Sequence, residues 1–481
     1  MFVLILVGLL LVWMFVDKFY SKFRRYPPGP VNLPLVGALP FLGKKPFVKF
    51  AEWARIHGPV IRIRVGLKNV VVLNSYEAIV EAFVKKGKVF NHRNPVSLLR
   101  LEMKGLGLLN NEGDSWAVHR RFTTRCLKNL GFGKIAIETH LLDEISEMIS
   151  DMQREKGGFF DPKNMLMLTV ANMMWSTVAG QRFQRGDPKL LELAKMNDDV
   201  IKSIGTMGIL SFYPQLRYVF HKKYETFKTA IDNLKEYLHQ LIDHHHQMLT
   251  DKDKPSDLIS EYLAAAEGKE LSSEFTDQQI CAVLLDLFVA GLETTVTVIR
   301  WAILLAVKHS HVQYKLMREI DQIIGHFRLP TNDDRLRMPY TEAFVAEVLR
   351  YSCVVPMVHH CTAHDTHLMD FFIPAGTPII ANLWSFHMDQ RNDDSFDVDR
   401  FLDGENKLLK VEQFIPFGVG KRGCPGESVA RMEIFLVLTS LLQKFIIKPG
   451  SELCTEPNIG LVLSPRNFSI CLEQRRSLSE S

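Results

Sequence analysis

The sequence predicts a mainly α-helical α+β fold with small β-sheets, and three observations carry that expectation. Apolar residues recur at three- and four-residue intervals over residues 222–248, 277–309, 312–324, 341–351 and 425–445, the spacing that places them on one face of a helix. Strand-like runs are short and few, at 60–65, 70–73, 371–373 and 378–381. The chain has 481 residues, 47% of them hydrophobic, enough to bury a large core, and no internal repeat divides it.

Taken from the N-terminus, "MFVLILVGLLLVWMFV" carries no charge and is followed by Asp17, Lys18, Lys22, Arg24 and Arg25. It is slightly short of the ~20 residues that span a bilayer, but Phe19, Tyr20 and snorkelling lysines extend it, so residues 1–20 are expected to form a transmembrane signal anchor. A cleaved secretory signal is the rival. It would need a basic segment ahead of the apolar run and a small-residue cleavage site, and neither is present. The basic flank assigns the remainder to the cytosolic side. Residues 21–40 form a basic linker that Pro27, Pro28, Pro30, Pro34 and Pro40 stiffen. The main body over 41–473 and a polar tail over 474–481 are expected to follow.

Residues 60–65 alternate, and "GLKN" separates them from 70–73, which reads as a hairpin. Residues 371–373 and 378–381 are expected to pair, turning at Ala375 and Gly376. The segment 277–309 should be the central helix: Thr276 and Gln279 make a capping-box pattern, and at 1.5 Å per residue it would reach about 50 Å.

The formal net charge is only +4, with lysine and arginine scattered among acids, so a nucleic-acid partner is not expected. Seven cysteines form no CxxC pair. An odd, unpaired set in apolar company argues against a disulfide framework and for small buried hydrophobes.

Cys424 is different. "FGVGKRGCPGE" holds Gly418, Gly420 and Gly423 at GxGxxG spacing, but no acid stands about 20 residues on to hold a ribose, and no GK[ST] follows for a P-loop. The other reading is a thiolate. Pro425 suits a first helical turn, which puts Cys424 at a helix N-terminus, where free N–H groups, the dipole, Lys421 and Arg422 lower a thiol pKa. The glycines clear space for a large flat group. Haem suits a single axial cysteine, whereas zinc needs further ligands.

"FGVGKRGCPG" resembles the haem-binding signature of the cytochrome P-450 superfamily, with Phe417, Gly420, Arg422, Cys424 and Gly426 at every fixed position. Further segments follow in that family's order, so the resemblance spans nearly the whole chain. It implies the cytochrome P-450 fold, a long central helix over haem b (iron protoporphyrin IX), and Cys424 as axial iron ligand. Phe417 and Gly418 would line the haem on the cysteine side, and Arg422 would help anchor a propionate. "AGLETT" is similar to the oxygen-binding segment, placing Ala290 against haem and oxygen and giving Glu293 and Thr294 the proton relay. Gly291, with Thr294 diverting the Ala290 carbonyl, would open the helix locally for water and dioxygen.

"EVLR" resembles the ExxR pair, Glu347 and Arg350, which Arg400 joins to support the cysteine loop; Val398 stands where proline is usual. "WAVHR" gives Trp116 and Arg120 to a haem propionate, with Ala117 replacing a common basic residue. In "VVPMVHHCTAHDT", His360 aligns with a propionate-binding histidine once one residue is deleted. A zinc set of His359, His360, Cys361 and His364 is the rival there, but a strand sends alternate side chains to opposite faces.

The resemblance is strongest to animal microsomal, family-2-like members. It implies an endoplasmic-reticulum haem-thiolate monooxygenase that inserts one oxygen atom from O2 into a small lipophilic substrate: a xenobiotic, fatty acid or steroid. Electrons would come from NADPH through a flavoprotein reductase, with cytochrome b5 as a further donor. Residues 97–109, 204–212, 288–291, 355–358 and 459–463 would wall the substrate. The alternatives are a haem-thiolate isomerase or dehydratase needing no external electrons, and a non-catalytic haem sensor or carrier.

Overall fold

The computed structural model describes residues 12–13, 25–94, 97–131, 135–155, 157–248, 255–267, 273–388 and 395–475. Of the expected anchor only Val12 and Trp13 are among them, and of the tail only Gln474 and Arg475.

Helix α1 (Pro46–His57) leads into the expected hairpin of β1 (Val60–Val65) and β2 (Lys68–Leu73), in register from Val60 opposite Leu73 to Val65 opposite Lys68. The proline-rich linker is no free tether. It runs along β1, with Arg62 N–H donating to Pro28 O (2.8 Å) and Gly66 N–H to Val36 O (3.2 Å). Gly29 lets it approach so closely: a Cβ there would lie 1.9 Å from Arg62 O. Helix α2 (Tyr76–Val80) then passes into a π-helical turn, Glu81–Lys85.

A helical half follows: α3 (Leu98–Glu102), α4 (Gly113–Asn129), α5 (Ile135–Arg154), α6 (Lys163–Ala179), α7 (Pro188–Thr206), α8 (His221–Met248) and α9 (Leu258–Glu267). Then α10 (Asp277–Lys308) runs through the core, packed against α6 and α8. Its composition would suit a membrane span, but it is buried inside the body. The indole N–H of its fully buried Trp301 donates to Leu463 O at 2.9 Å. Half of the expected capping box forms. Thr276 accepts from Gln279 N–H (3.2 Å), but the Gln279 side chain turns instead to Gly107, bonding its N–H (3.1 Å) and C=O (3.4 Å).

After α11 (Ser310–Ile323) and α12 (Pro339–Ser352) come β3 (Met357–Cys361), β4 (Thr366–Leu368), β5 (Phe371–Ile373) and β6 (Pro378–Asn382). The expected pairing of 371–373 with 378–381 is not made. β5 pairs with β4, while β6 lies between β2, parallel, and β3, antiparallel, in a four-stranded sheet ordered β1-β2-β6-β3. β6 is buried at every position, and such a strand belongs inside a sheet rather than at a hairpin edge.

Helix α13 (Trp384–His387) precedes α14 (Glu427–Lys444), which packs on α10, α11 and α12. α14 starts later than expected: Pro425 and Gly426 form a turn, Gly426 is the N-cap, and the first helical bond runs from Ala430 N–H to Gly426 O (2.8 Å). Paired strands β7 (Phe445–Pro449) with β10 (Ile470–Gln474), and β8 (Pro457–Ile459) with β9 (Leu463–Pro465), close the chain.

Candidate active site at Cys424

The loop that carries Cys424 is folded by its own backbone. Gly418 N–H donates to Ile415 O (2.9 Å), Gly423 N–H to Gly420 O (3.1 Å) and Cys424 N–H to Phe417 O (2.9 Å). Its glycines serve different ends. At Gly420 φ is +76° and a Cβ would lie 2.2 Å from Phe83 O, so this glycine docks the loop on the π-helical turn. A Cβ at Gly426 would meet nothing within 4 Å. The expectation that all four clear space for a flat group is therefore corrected.

Of the seven cysteines, Cys424 is the exposed one. Burial pushes Cys126 and Cys353 up to about 12 and Cys281 and Cys361 up to about 11, which makes them inert thiols. The N–H groups of Gly426 and Glu427 and the Arg120 guanidinium all favour a Cys424 thiolate. The expected net depression is nonetheless absent: Cys424 is open to water, yet enough protein surrounds it that desolvation, the first cause, leaves its pKa raised.

Beside the loop lies a knot of cations. Arg422 stacks on Trp116 at 3.8 Å and donates to Asn91 O (2.8 Å), Leu108 O (2.9 Å) and Asn111 O (2.7 Å). Arg120 donates to Gly423 O. Arg93 donates to Leu109 O (2.7 Å) and to His359 O. Burial, then Arg93 and Arg120, push Arg422 down to about 8, and burial takes Arg93 to about 10. Trp116 and Arg120 also line a cleft of about 980 Å³ whose wall carries Lys88, Arg121, Arg125 and Lys421.

His360 requires a correction. It is buried, stacked on Phe83 at 3.9 Å, with Nδ1 bonded to Phe90 O (2.6 Å). The accessible neighbour on the other face of β3 is His359, next to Arg93. The ring of His360 is therefore turned away from the open face of β3, on which His359 stands.

On α10, Ala290 is exposed between buried Val289 and half-buried Gly291, and half-buried Thr294 lies one turn on, its hydroxyl donating to Ala290 O at 2.6 Å. The helix stays α-helical there. Gly291 lies against Met174 of α6, whose Cε a Cβ would meet at 3.0 Å, so it serves packing rather than a local opening. Phe288 is stacked on Trp175 at 3.9 Å. Glu293 is buried on another side, its Oε1 3.5 Å from the Thr297 hydroxyl.

Glu347 and Arg350 form a bidentate pair, both bonds 2.6 Å, on α12. Arg400 Nε stands 3.6 Å from Glu347 Oε2, and Asp397 N–H donates to Glu347 Oε1 at 2.9 Å. Val398 opens a short 3₁₀ turn capped by the Asp397 carboxylate, which takes Asp399 N–H at 3.0 Å. Sequence reasoning missed how this cluster reaches the cysteine loop. Arg350 donates to His387 O (2.8 Å), and His387 Nε2 accepts Ile415 N–H (3.2 Å). Burial, then Arg350, hold His387 down at about 3, so its ring stays neutral and keeps that acceptor.

Asp286 was missed too. Its Oδ2 accepts N–H of Leu108 (2.6 Å) and Leu109 (2.8 Å), while Arg422, Arg93 and Arg100 hold the carbonyls of the same loop. A lone Asp in an apolar helical run carries no motif; only the fold shows what it grips.

These residues fit haem. The donor set is one accessible sulfur facing two N–H groups. Arg93 and Arg120 stand close enough to depress Arg422, and such a cluster calls for an anion, which a pair of carboxylates supplies.

The comparisons agree with that chemistry. A model of the cytochrome P450 family matches residues 27–472, and the chain belongs to that family of haem-binding monooxygenases. Its relatives place it among the microsomal family-2 members. Cytochrome P450 2C23 of Rattus norvegicus is 33% identical over 98% of this chain and 97% of that protein. Cytochrome P450 2C8 of Homo sapiens is 34% identical over 93% and 94%, and cytochrome P450 2H2 of Gallus gallus 33% over 90% and 89%. Such microsomal relatives take electrons from NADPH–P450 reductase, use O2 on lipophilic substrates and reside in the endoplasmic-reticulum membrane.

Proposed function

We propose that this chain inserts one atom of O2 into a small lipophilic molecule, a xenobiotic, fatty acid or steroid. It does so on the endoplasmic-reticulum membrane, anchored by residues 1–20, with electrons passed from NADPH by a flavoprotein reductase and by cytochrome b5. Bound haem supplies the oxygen-activating chemistry. Cys424 Sγ would hold its iron, and the Gly426 and Glu427 N–H groups would support the negative charge on that sulfur. Trp116, Arg120 and Arg422 hold the propionates, and Arg93 and His359 take the place first given to His360. Phe417 and Gly418 line the cysteine side. Ala290 leaves room for oxygen, and Thr294, whose hydroxyl proton is engaged by Ala290 O, keeps its lone pairs free to accept a proton from Glu293. Glu347, Arg350 and Arg400 hold the cysteine loop through His387. The basic cleft beside Trp116 suits an acidic reductase face.

The observation that carries this reading is the single cysteine of seven that is exposed rather than buried or half-buried, set beside mutually repelling arginines. The reduced carbon-monoxide spectrum tests it. Cys424→Ser should abolish the thiolate signature while the other six cysteines tolerate replacement; a surviving signature sinks the assignment. NADPH-dependent oxygen consumption with reductase separates this function from an isomerase or a haem carrier, which would show none across lipophilic substrates.

A further inference from the structure

His360 is a polar ring only 3% exposed, and it makes two separate ties to one neighbouring segment. Its Nδ1 lies 2.6 Å from Phe90 O, and since a carbonyl only accepts, that nitrogen carries the ring proton. The same ring lies flat on Phe83, with centroids 3.9 Å apart and planes 13° from parallel. The segment 83–91 that both ties reach is itself seated against the cysteine loop. Phe83 belongs to the π-helical turn Glu81–Lys85, and its carbonyl faces Gly420, where a Cβ would come within 2.2 Å. One residue past Phe90, Asn91 O accepts two bonds from Arg422, at 3.1 and 2.8 Å. Beyond β3, Ala363 N–H donates to Val89 O at 2.8 Å, so strand and segment run together. Phe83, Phe90 and Ile415 share one small core with Val419 packed on it, apart from the main core of helices.

We propose that His360 is a positioning residue for the cysteine side of the site. Through Phe90 it holds the Asn91 carbonyl that seats Arg422, and through Phe83 it holds the π-helical turn on which Gly420 and the cysteine loop rest. This rests on the reading of Cys424 as the iron-holding residue and Arg422 as a propionate anchor. The ring is neutral, because burial and then Arg93 hold its pKa well below the histidine range; Arg422 and His359 press the same way. The two ties act on different groups. Loss of the bond frees Asn91 and lets Arg422 draw back from a haem carboxylate, and withdrawing a cation disfavours the reduced state. Loss of the stack loosens the loop around the sulfur instead.

Two substitutions in the full-length holoenzyme separate the ties. His360→Phe keeps a ring on Phe83 and removes the donor to Phe90 O. Its ferric–ferrous equilibrium should move roughly threefold toward ferric, a potential about 30 mV lower, with the lifetime of the thiolate signature in the reduced carbon-monoxide complex unchanged. His360→Asn keeps an N–H near the place of Nδ1 and removes the ring. Its potential should stay at the wild-type value, while the thiolate signature decays roughly 2–10-fold faster, the weight of one aromatic stack. Phe83→Leu, which leaves His360 intact, should reproduce the His360→Asn result. A merely structural role would lower the melting temperature without this crossed pattern. If the variants keep wild-type potential and thiolate lifetime, or if each moves both readouts together, His360 is core packing and the inference is overturned. A thiolate signature that survives Cys424→Ser would instead remove the reading beneath it, whatever the His360 variants do.

Discussion

Two buried glutamates, fifty-four positions apart in the chain, show opposite solutions to one electrostatic problem. Glu347 is wholly buried and fully answered: Arg350 grips both oxygens, Arg400 approaches, and Asp397 N–H adds a bond. Glu293 is nearly as buried, yet one oxygen has no partner among the described residues and its neighbouring cations are spread over three helices. The first arrangement fixes a scaffold. The second leaves a carboxyl less constrained, as the proposed relay role of Glu293 would require. Glu433 of α14 belongs with the second kind: among the described residues its Oε1 has no hydrogen-bond partner, and burial, only partly offset by Thr295, pushes it up to about 8.

The largest effect should come from breaking the satisfied region. Arg350→Ala strands Glu347 as an uncompensated buried charge, a cost of about 3–5 kcal/mol. The melting temperature should fall sharply and the thiolate spectrum weaken as His387 and Ile415 lose their hold. A melt close to wild type would mean the pair does not support the loop.

A smaller effect should follow from Glu433. An acid whose folded pKa is raised binds its proton more tightly when folded. Its contribution is therefore greatest below the ordinary carboxylate range and is lost as pH rises through about 8. Asp286, pushed up to about 7 by burial, slopes the same way, whereas neutral His387 loses its contribution as pH falls below the ordinary histidine range. Denaturant melts from pH 5 to 8.5 should show Glu433→Gln with a flatter alkaline limb, by a few kcal/mol at most. Parallel limbs would show that Glu433 is already paired.

The smallest effect belongs to Gly418. Its φ of +71° strains any side chain, but a Cβ there would meet nothing within 4 Å, so Gly418→Ala should cost only about 1 kcal/mol. A much larger loss would show that the open side is needed for the cofactor.

The order of elements was readable because helical periodicity is local: the central helix and the hairpin at 60–73 form within a residue or two of expectation. The pairing of β6 was not, since a parallel neighbour from residue 71 leaves no trace near residue 379. The site divided the same way. Cys424, Arg422 and the Glu347–Arg350 pair sit in spaced motifs, whereas Arg93, Asp286 and His387 act through backbone groups that any residue could offer.

The sequence by itself determined that one cysteine, within glycines and cations, would be chemically distinct, because residue type and spacing fix which groups stand beside a sulfur. Only the tertiary structure decided its surroundings. Strand parity exposed His359 and buried His360, the close approach of Phe83 O explained Gly420, and burial outweighed the N–H groups at Cys424. Desolvation and facing charges depend on which distant segments pack together, and that is a property of the folded chain.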